Sequence, residues 1–348
     1  MDRYLCRKMT RKFTGIVEVL VLFVVIVHSG TVPAYGQDAL TILFYNTENF
    51  FDPFDDSLTL DDAFTPEGDH HWTFARFQKK SHHLYKLFMA VGEHLSGWDP
   101  PAMIALAEVE NGYVLHYLLH ETPFRSFDYG VVHYDSPDRR GIDVALLYDR
   151  RRIGVLDSRP LPVRFQGDTV SHTRDILYVQ VRTAATDTLA LFINHWPSRR
   201  GGYLASAPRR MAAARVLAAA LDTLAGFSGR GRVVVAGDFN DEPDDPSVVF
   251  LAGGTEDKRS LENMMLPLLK KGRGTLWYDG RWWLFDQFLV SPQLAGGRSS
   301  VEILRLPFLF DPQQEGVPWR TYAGLHYRGG FSDHLPLVLT IRPEGGGD

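Results

Sequence analysis

Apolar residues in this chain come in short, nearly unbroken runs. Eight of them have the length and composition of strands: "ALTILFYN" (39–46), "AMIALAEV" (102–109), "DVALLYD" (143–149), "ILYVQVRT" (176–183), "LALFINHW" (189–196), "RVVVAGDFN" (232–240), "WWLFDQFLVS" (282–291) and "LPLVLTIR" (335–342). Several are apolar throughout, which predicts strands covered on both faces. A 3.6-residue spacing near Phe74 to Leu95 and near Ala207 to Leu224 predicts two long helices, the second with Ser206 as N-cap and Pro208 in its first turn. Many strands and two long helices imply an α/β protein in which two sheets pack face to face with helices outside. In "TLWYDGRWW" the Asp279-Gly280 pair between two aromatic pairs predicts a β-hairpin. Trp277, Tyr278, Trp282 and Trp283 are candidates for a base-stacking platform, but cross-strand packing is the commoner cause of such a pattern and is the reading adopted.

The first 36 residues differ from the rest. Arg3, Arg7, Lys8, Arg11 and Lys12 precede "GIVEVLVLFVVIV", and "PAYG" offers a cleavage point before Gln37. That order is a secretory signal and predicts a secreted or periplasmic protein. The alternative is an uncleaved membrane anchor, for which the run, interrupted by Glu18, is short against roughly 20 residues. Cleavage would remove the sole cysteine, Cys6, so the mature chain would have no disulfide, thiol nucleophile or thiolate metal site. It would also leave 32 basic and 40 acidic residues, a net charge of −8, which excludes a uniformly basic nucleic-acid clamp. No repeat or linker interrupts the remainder, so one domain over 37–342 is expected, followed by a flexible glycine-rich tail at 343–348. A monomer with no obligate protein partner is the simplest expectation.

The strands end on chemistry. "VVVAGDFNDEP" (233–243) runs into Asp238 and Asn240; "LFYNTENFFD" carries Asn46, Glu48 and Asn49; "IALAEVEN" carries Glu108 and Glu110. "LFINHWPSRRGG" ends on His195, then Arg199 and Arg200; "WLFDQFLVS" holds Asp286 inside an apolar run; "GFSDHLPLVL" opens a strand with Asp333 and His334. Each has a structural alternative, since Gly, Asp, Asn and Pro are turn residues and a histidine can sit satisfied in a core. Asp286 is the hardest to set aside, because a buried carboxylate costs several kcal/mol, order of magnitude, unless it is paired. The same strand rims in open α/β layers are where ligands bind.

In this order, "YNTEN", "LAEVEN", "RRGIDVALLYD", "NHWPSRRGG", "GDFNDEP", "DQFLVS" and "SDHLPL" resemble the endonuclease/exonuclease/phosphatase superfamily, the group containing DNase I, exonuclease III, neutral sphingomyelinase and inositol-polyphosphate 5-phosphatases. The resemblance spans essentially the whole mature chain. It implies a four-layered α/β sandwich, two packed mixed sheets flanked by helices, with the site at one end of the sheets. It further implies that Asn46 and Glu108 are a metal-binding pair and that Asp238 and Asn240 address the nucleophile and the scissile phosphate. Asp286 and His334 would form an aspartate–histidine dyad, Asp333 a second metal-side carboxylate, and His195 a phosphate contact. Glu48 stands where several members have aspartate, which keeps the charge but lengthens the arm.

A phosphodiester gains negative charge as water attacks, so a hard divalent cation on oxygen ligands suits the chemistry, Mg²⁺ or Mn²⁺ rather than zinc. Arg199 and Arg200 are candidates to hold the phosphate, against a reading as solvated loop charges; Arg140 and Arg174 are weaker candidates, with surface salt bridges as the alternative. His70 and His71 in "DHHW" lack a spaced partner ligand and are expected to be exposed loop residues. The expected function is a secreted metal-dependent phosphodiesterase, foremost an endonuclease acting on nucleic acid. The alternatives are a sphingomyelinase-like or phosphoinositide phosphoesterase, for which "PFLF" (307–310) is the sole candidate membrane-inserting segment, and a non-catalytic binding module on the same fold.

Overall fold

The structure is a computed structural model describing residues 39–95, 98–165, 172–183, 188–224, 231–253 and 260–343; the signal expected at 1–36 and the tail beyond Pro343 lie outside the described residues. The strands of the first half are β1 (Leu40–Phe50), β2 (Met103–Val109), β3 (Tyr129–His133), β4 (Asp143–Asp149), β5 (Ile153–Leu161), β6 (Ile176–Thr183) and β7 (Thr188–His195). Those of the second half are β8 (Val233–Asp238), β9 (Glu262–Asn263), β10 (Leu276–Tyr278), β11 (Arg281–Trp283), β12 (Asp286–Val290), β13 (Ser299–Ile303), β14 (Tyr322–Ala323), β15 (His326–Tyr327) and β16 (Leu337–Ile341). The principal helices are α1 (Phe74–Leu95), α2 (Gly112–His120), α3 (Tyr203–Thr223) and α4 (Pro246–Ala252).

Two mixed six-stranded sheets result, ordered β13-β16-β1-β2-β4-β3 and β5-β6-β7-β8-β12-β9. Side chains alternate across each strand, so a strand apolar at every position serves two cores at once. In β1, Ile42 and Phe44 face the second sheet and meet Leu191, Ile193 and Val234, while Leu43 and Tyr45 face outward to Leu84, Leu87 and Phe88 of α1. On the far side Val233 and Val235 of β8 face Ala214, Leu217 and Leu221 of α3. The helix–sheet–sheet–helix sandwich therefore follows from strands with no polar face.

Three details depart from the sequence reading. α3 starts at Tyr203 after Gly202, four residues earlier than expected; Ser206 lies inside it, its hydroxyl bonding back to the Gly202 and Tyr203 carbonyls, and Pro208 is inside the helix rather than in its first turn. "WWLFDQFLVS" is not one strand, because Leu284 and Phe285 break it into β11 and β12. "NGYVLHYLLH", not anticipated, is α2, capped by Asn111 Oδ1 accepting the N–H groups of Tyr113 and Val114. The hairpin is as expected: Asp279 and Gly280 both have positive φ, as a two-residue primed turn requires, and Trp277 packs edge-on against Trp282, ring centroids 5.3 Å apart.

Candidate active site

The sheet register sets the site. In the second sheet Asp238, the last residue of β8, is flanked by His195 of β7 on one side and Asp286 of β12 on the other. Only glycine fits before it: a Cβ on Gly237 would lie 2.5 Å from the Asn194 carbonyl oxygen of the neighbouring strand. In the first sheet the β1–β2 pairing slips between Asn46 and Phe50, and the β2–β4 pairing slips between Ala107 and Val109. Such bulges re-aim side chains at a strand end. Glu48, Asn49, Glu108 and Asn240 all have φ between 49° and 60°, an unfavourable region for residues with a Cβ that recurs where backbone is strained for function.

The two halves close on each other. Asn46 Nδ2 donates to Asp238 Oδ2 at 3.0 Å, across 192 residues of chain, and Asn240 N–H donates to Asp238 Oδ1 at 2.9 Å. His334 Nδ1 lies 2.7 Å from Asp286 Oδ2, which turns its Nε2 toward Asp238 Oδ2 at 3.9 Å. His195 Nε2 is 3.7 Å from the same oxygen and 3.8 Å from Glu108 Oε1. Glu108 Oε2 accepts the Asn49 N–H at 2.9 Å, and Asn46 Oδ1 accepts the Glu48 N–H at 3.0 Å. Asn240 commits one amide hydrogen to the Trp196 carbonyl at 3.0 Å.

Charge separates the three central groups. Burial, reinforced by Asp286, pushes Asp238 up to about 6. Burial alone would strip His334 of its proton, but Asp286 and Asp238 outweigh it and lift the imidazole well above its ordinary value. His195 goes the other way: burial first, then Arg174, Arg140 and His334, hold it well below, so it stays neutral.

The remaining expected residues are placed differently. Glu48 has both oxygens engaged by the loop opposite, Oε2 accepting the Thr321 N–H at 2.6 Å and Oε1 facing Arg320 Nε at 3.3 Å, and the same arginine holds Asp333 Oδ2 at 2.9 Å. Arg174 is not on the surface: it is buried, pairs with Asp138 at 3.0 Å and donates to the His195 and Trp196 carbonyls. Its guanidinium is consumed in shaping the turn after β7. Arg199 is likewise enclosed, bonding the Asn240 carbonyl and Asp245 and lying over the Tyr203, Trp283 and Phe285 rings. Arg140 is half-exposed beside Asp138, and Arg200 is exposed. His71 is exposed, but His70 is half-buried between Phe64 and Tyr322.

Sequence reasoning missed the tethers. Ser332 Oγ donates to the Asn46 carbonyl at 2.8 Å and accepts the His334 N–H at 3.0 Å, so one hydroxyl couples the two strand ends. Lys80 of α1, 2% exposed, donates to the carbonyls of Glu48 and Phe331 and to Thr321 Oγ1. Ser332 stands inside a quoted motif and was within reach; Lys80 reads in sequence as an ordinary helix lysine.

Sheets sandwiched between helices, with acids, amides and imidazoles gathered at one rim, define a class of phosphoester-hydrolysing enzymes. The chain belongs to the Endonuclease/Exonuclease/phosphatase family, which it matches over residues 41–343, and it is a phosphoester hydrolase. No curated protein matches it. Among solved structures it is similar to D. rerio TDP2 complexed with single strand DNA product (TM-score 0.53, 16% identity, 88% of this chain and 99% of that one). The human Nocturnin catalytic domain with bound sulfate is alike to the same degree (TM-score 0.53, 16% identity, 87% and 93%). So is the endonuclease/exonuclease/phosphatase from Bacteroides vulgatus (TM-score 0.53, 14% identity, 88% and 100%). At these identities the likeness is one of fold.

The family depends on a divalent metal, and the residues fit one. Glu108 Oε1 and Asp238 Oδ2 lie 3.8 and 3.7 Å from the same His195 Nε2, neither carboxylate bonded to a lysine or arginine among the described residues, and Asp286 Oδ1, in a group with Asp238 and His334 whose ligand atoms lie within 4.8 Å of one another, is buried without a partner. That surplus of buried oxygen charge is what a hard cation neutralises.

Proposed function

We propose that this protein is an exported, monomeric, metal-dependent endonuclease that hydrolyses phosphodiester bonds of nucleic acid. The carrying observation is the convergence of Glu108, Asp238 and the Asp286-oriented His334 from two different sheets: His195 Nε2 lies 3.8 Å from Glu108 Oε1 and 3.7 Å from Asp238 Oδ2, and His334 Nε2 lies 3.9 Å from that same Asp238 oxygen. Glu108 and Asn46 would hold Mg²⁺ or Mn²⁺, with Asp333 and Glu48 supporting that side; the ion supplies electrostatic stabilisation of the phosphate. Asp238, fixed on both oxygens by Asn46 and Asn240, aligns the attacking water and accepts its proton. His334 has its Nδ1 tied to Asp286, so Nε2–H is the end available to a phosphoryl oxygen. His195, neutral, and the free hydrogen of the Asn240 amide complete the contacts to the phosphate. Arg140 and Arg200 stand at the exposed rim for flanking phosphates; Arg174 and Arg199 act by holding the backbone of this site.

Nucleic acid is favoured over lipid because "PFLF" forms a short turn that buries Leu309 in the core instead of projecting an apolar tip. Export rests on the order of charge and hydropathy in residues 1–36. The test is a Mg²⁺-dependent activity panel on DNA, RNA, sphingomyelin and inositol phosphates. Turnover of a nucleic acid, abolished by chelation, is expected; turnover of only the lipid or inositol substrates would overturn the substrate assignment.

A further inference from the structure

Cross-strand packing accounts for most of the aromatic hairpin. Trp277 and Trp282 pack on each other, Arg305 covers Trp282 at 4.7 Å, and Arg281 and Arg199 cover Trp283. Tyr278 is left over. Its cross-strand neighbour is Arg281, and 63% of it is exposed. It does not face open solvent on every side, because it lines a cleft of about 380 Å³ together with Trp277, Arg320, Arg328 and Gln314. That volume suits one nucleotide.

Two connections tie this cleft to the catalytic centre. Leu276, where β10 begins, forms a bridge with His334, so the hairpin stands directly on the catalytic histidine's backbone. Arg320, which lines the same cleft, is bonded to Asp333 and faces Glu48, one residue from that histidine and two from Asn46. Arg328 is fixed at 2.8 Å by Asp311, which lines the same cleft, so its side chain is braced before any ligand arrives.

We infer that this cleft is a nucleobase subsite, in which Tyr278 stacks on the base of a nucleotide adjoining the scissile phosphate. The inference rests on the proposed nucleic-acid substrate. A phenol ring stacks on any base, so the subsite confers grip without strong sequence preference, while the amide of Gln314 and the acid of Asp279 offer edges for hydrogen bonds. Among the described residues no other element supplies both an exposed ring and a direct backbone tie to His334.

The experiment is calorimetric titration of the Mg²⁺-loaded enzyme with AMP, ribose 5-phosphate and inorganic phosphate, for wild type, Tyr278→Ala and Tyr278→Phe, with turnover of DNA, RNA and bis(p-nitrophenyl) phosphate run in parallel. AMP is expected to bind roughly tenfold tighter than ribose 5-phosphate, as one stacked base allows. Tyr278→Ala should abolish that margin and raise KM for the polynucleotide with little change in kcat, and Tyr278→Phe should restore both. Equal binding of AMP and ribose 5-phosphate, or a margin that survives Tyr278→Ala, overturns the subsite even if DNA or RNA is cleaved. An AMP margin lost only in Tyr278→Ala, in an enzyme that cleaves no polynucleotide, upholds the subsite and overturns the nuclease assignment instead.

Discussion

His334 Nδ1 meets Asp286 Oδ2 at 2.7 Å although 48 residues and a change of sheet separate them. One carboxylate therefore fixes the tautomer, the orientation and the charge of the imidazole, which would otherwise be discharged by burial. Asp286→Asn should keep the fold and lower kcat by about a hundredfold or more, the scale of a misoriented acid–base group. Steady-state kinetics beside a thermal melt decides: an unaltered kcat would mean that the pair is only structural.

Asp238→Asn, Asn240→Ala and His334→Ala should each reduce turnover by about a hundredfold or more; the first two should leave the melting temperature within a few degrees of wild type, whereas His334→Ala also leaves Asp286 buried without its cationic partner and should lower it. Asp238→Asn should be the least harmful to stability, because it removes a carboxylate that burial already opposes. A folding defect with normal turnover in the surviving protein would identify these residues as turn formers.

Gly237→Ala should fail differently. Its methyl group would overlap the Asn194 carbonyl in a fully buried parallel ladder, so a loss of about 2 kcal/mol or more in denaturant unfolding is expected. Melting at wild-type temperature would show that the two strands can separate at no cost.

Arg174→Met should also destabilise, by about 3 kcal/mol, because it leaves buried Asp138 with only the half-exposed Arg140 as counter-charge and takes the donor from the His195 and Trp196 carbonyls. Arg200→Ala, at an exposed position, should leave stability unchanged and raise KM alone. Chemical denaturation and kinetics on the two variants separate a positioning arginine from a substrate-facing one; an inactive but fully stable Arg174→Met would reverse the assignment.

His83, stacked on Phe331 with its ring centroid 4.1 Å away and Nδ1 donating to the Gly330 carbonyl, is pushed down to about 4 by burial, aided by Lys80, Lys79 and Lys86. The unfolded chain takes up this proton near 6.5 and the folded chain only near 4. Stability supported by His83 is thus intact above about pH 6.5, falls as pH drops, and is lost by about 4, a contribution of about 1–2 kcal/mol after allowing for partial exposure. His83→Gln should flatten unfolding free energy over that window; an unchanged acid slope would place the sensitivity elsewhere.

Each of the eight apolar runs read from the sequence overlaps one of the eight central strands, β16, β1, β2 and β4 in one sheet and β6, β7, β8 and β12 in the other. The four edge strands, β13, β3, β5 and β9, were not legible. A central strand of this sandwich is buried on both faces and must be apolar at every position, which leaves an unmistakable run. An edge strand is partly solvated, as the mixed burial of "IGVLDSRPL" and "SSVEI" shows, and its sequence resembles a loop. Candidate site residues followed the same logic: Asn46, Glu108, His195, Asp238 and His334 stood out as polar residues at the ends of apolar runs, and Asp286 as a carboxylate inside one. What tertiary structure alone decided was partnership. Lys80, Arg320 and Ser332 act on residues up to 286 positions away, and Arg174 and Arg199 looked like free surface cations until the packing enclosed them. Burial strength is written locally in side-chain composition, whereas the partner of a charge depends on which strand ends the two sheets bring together.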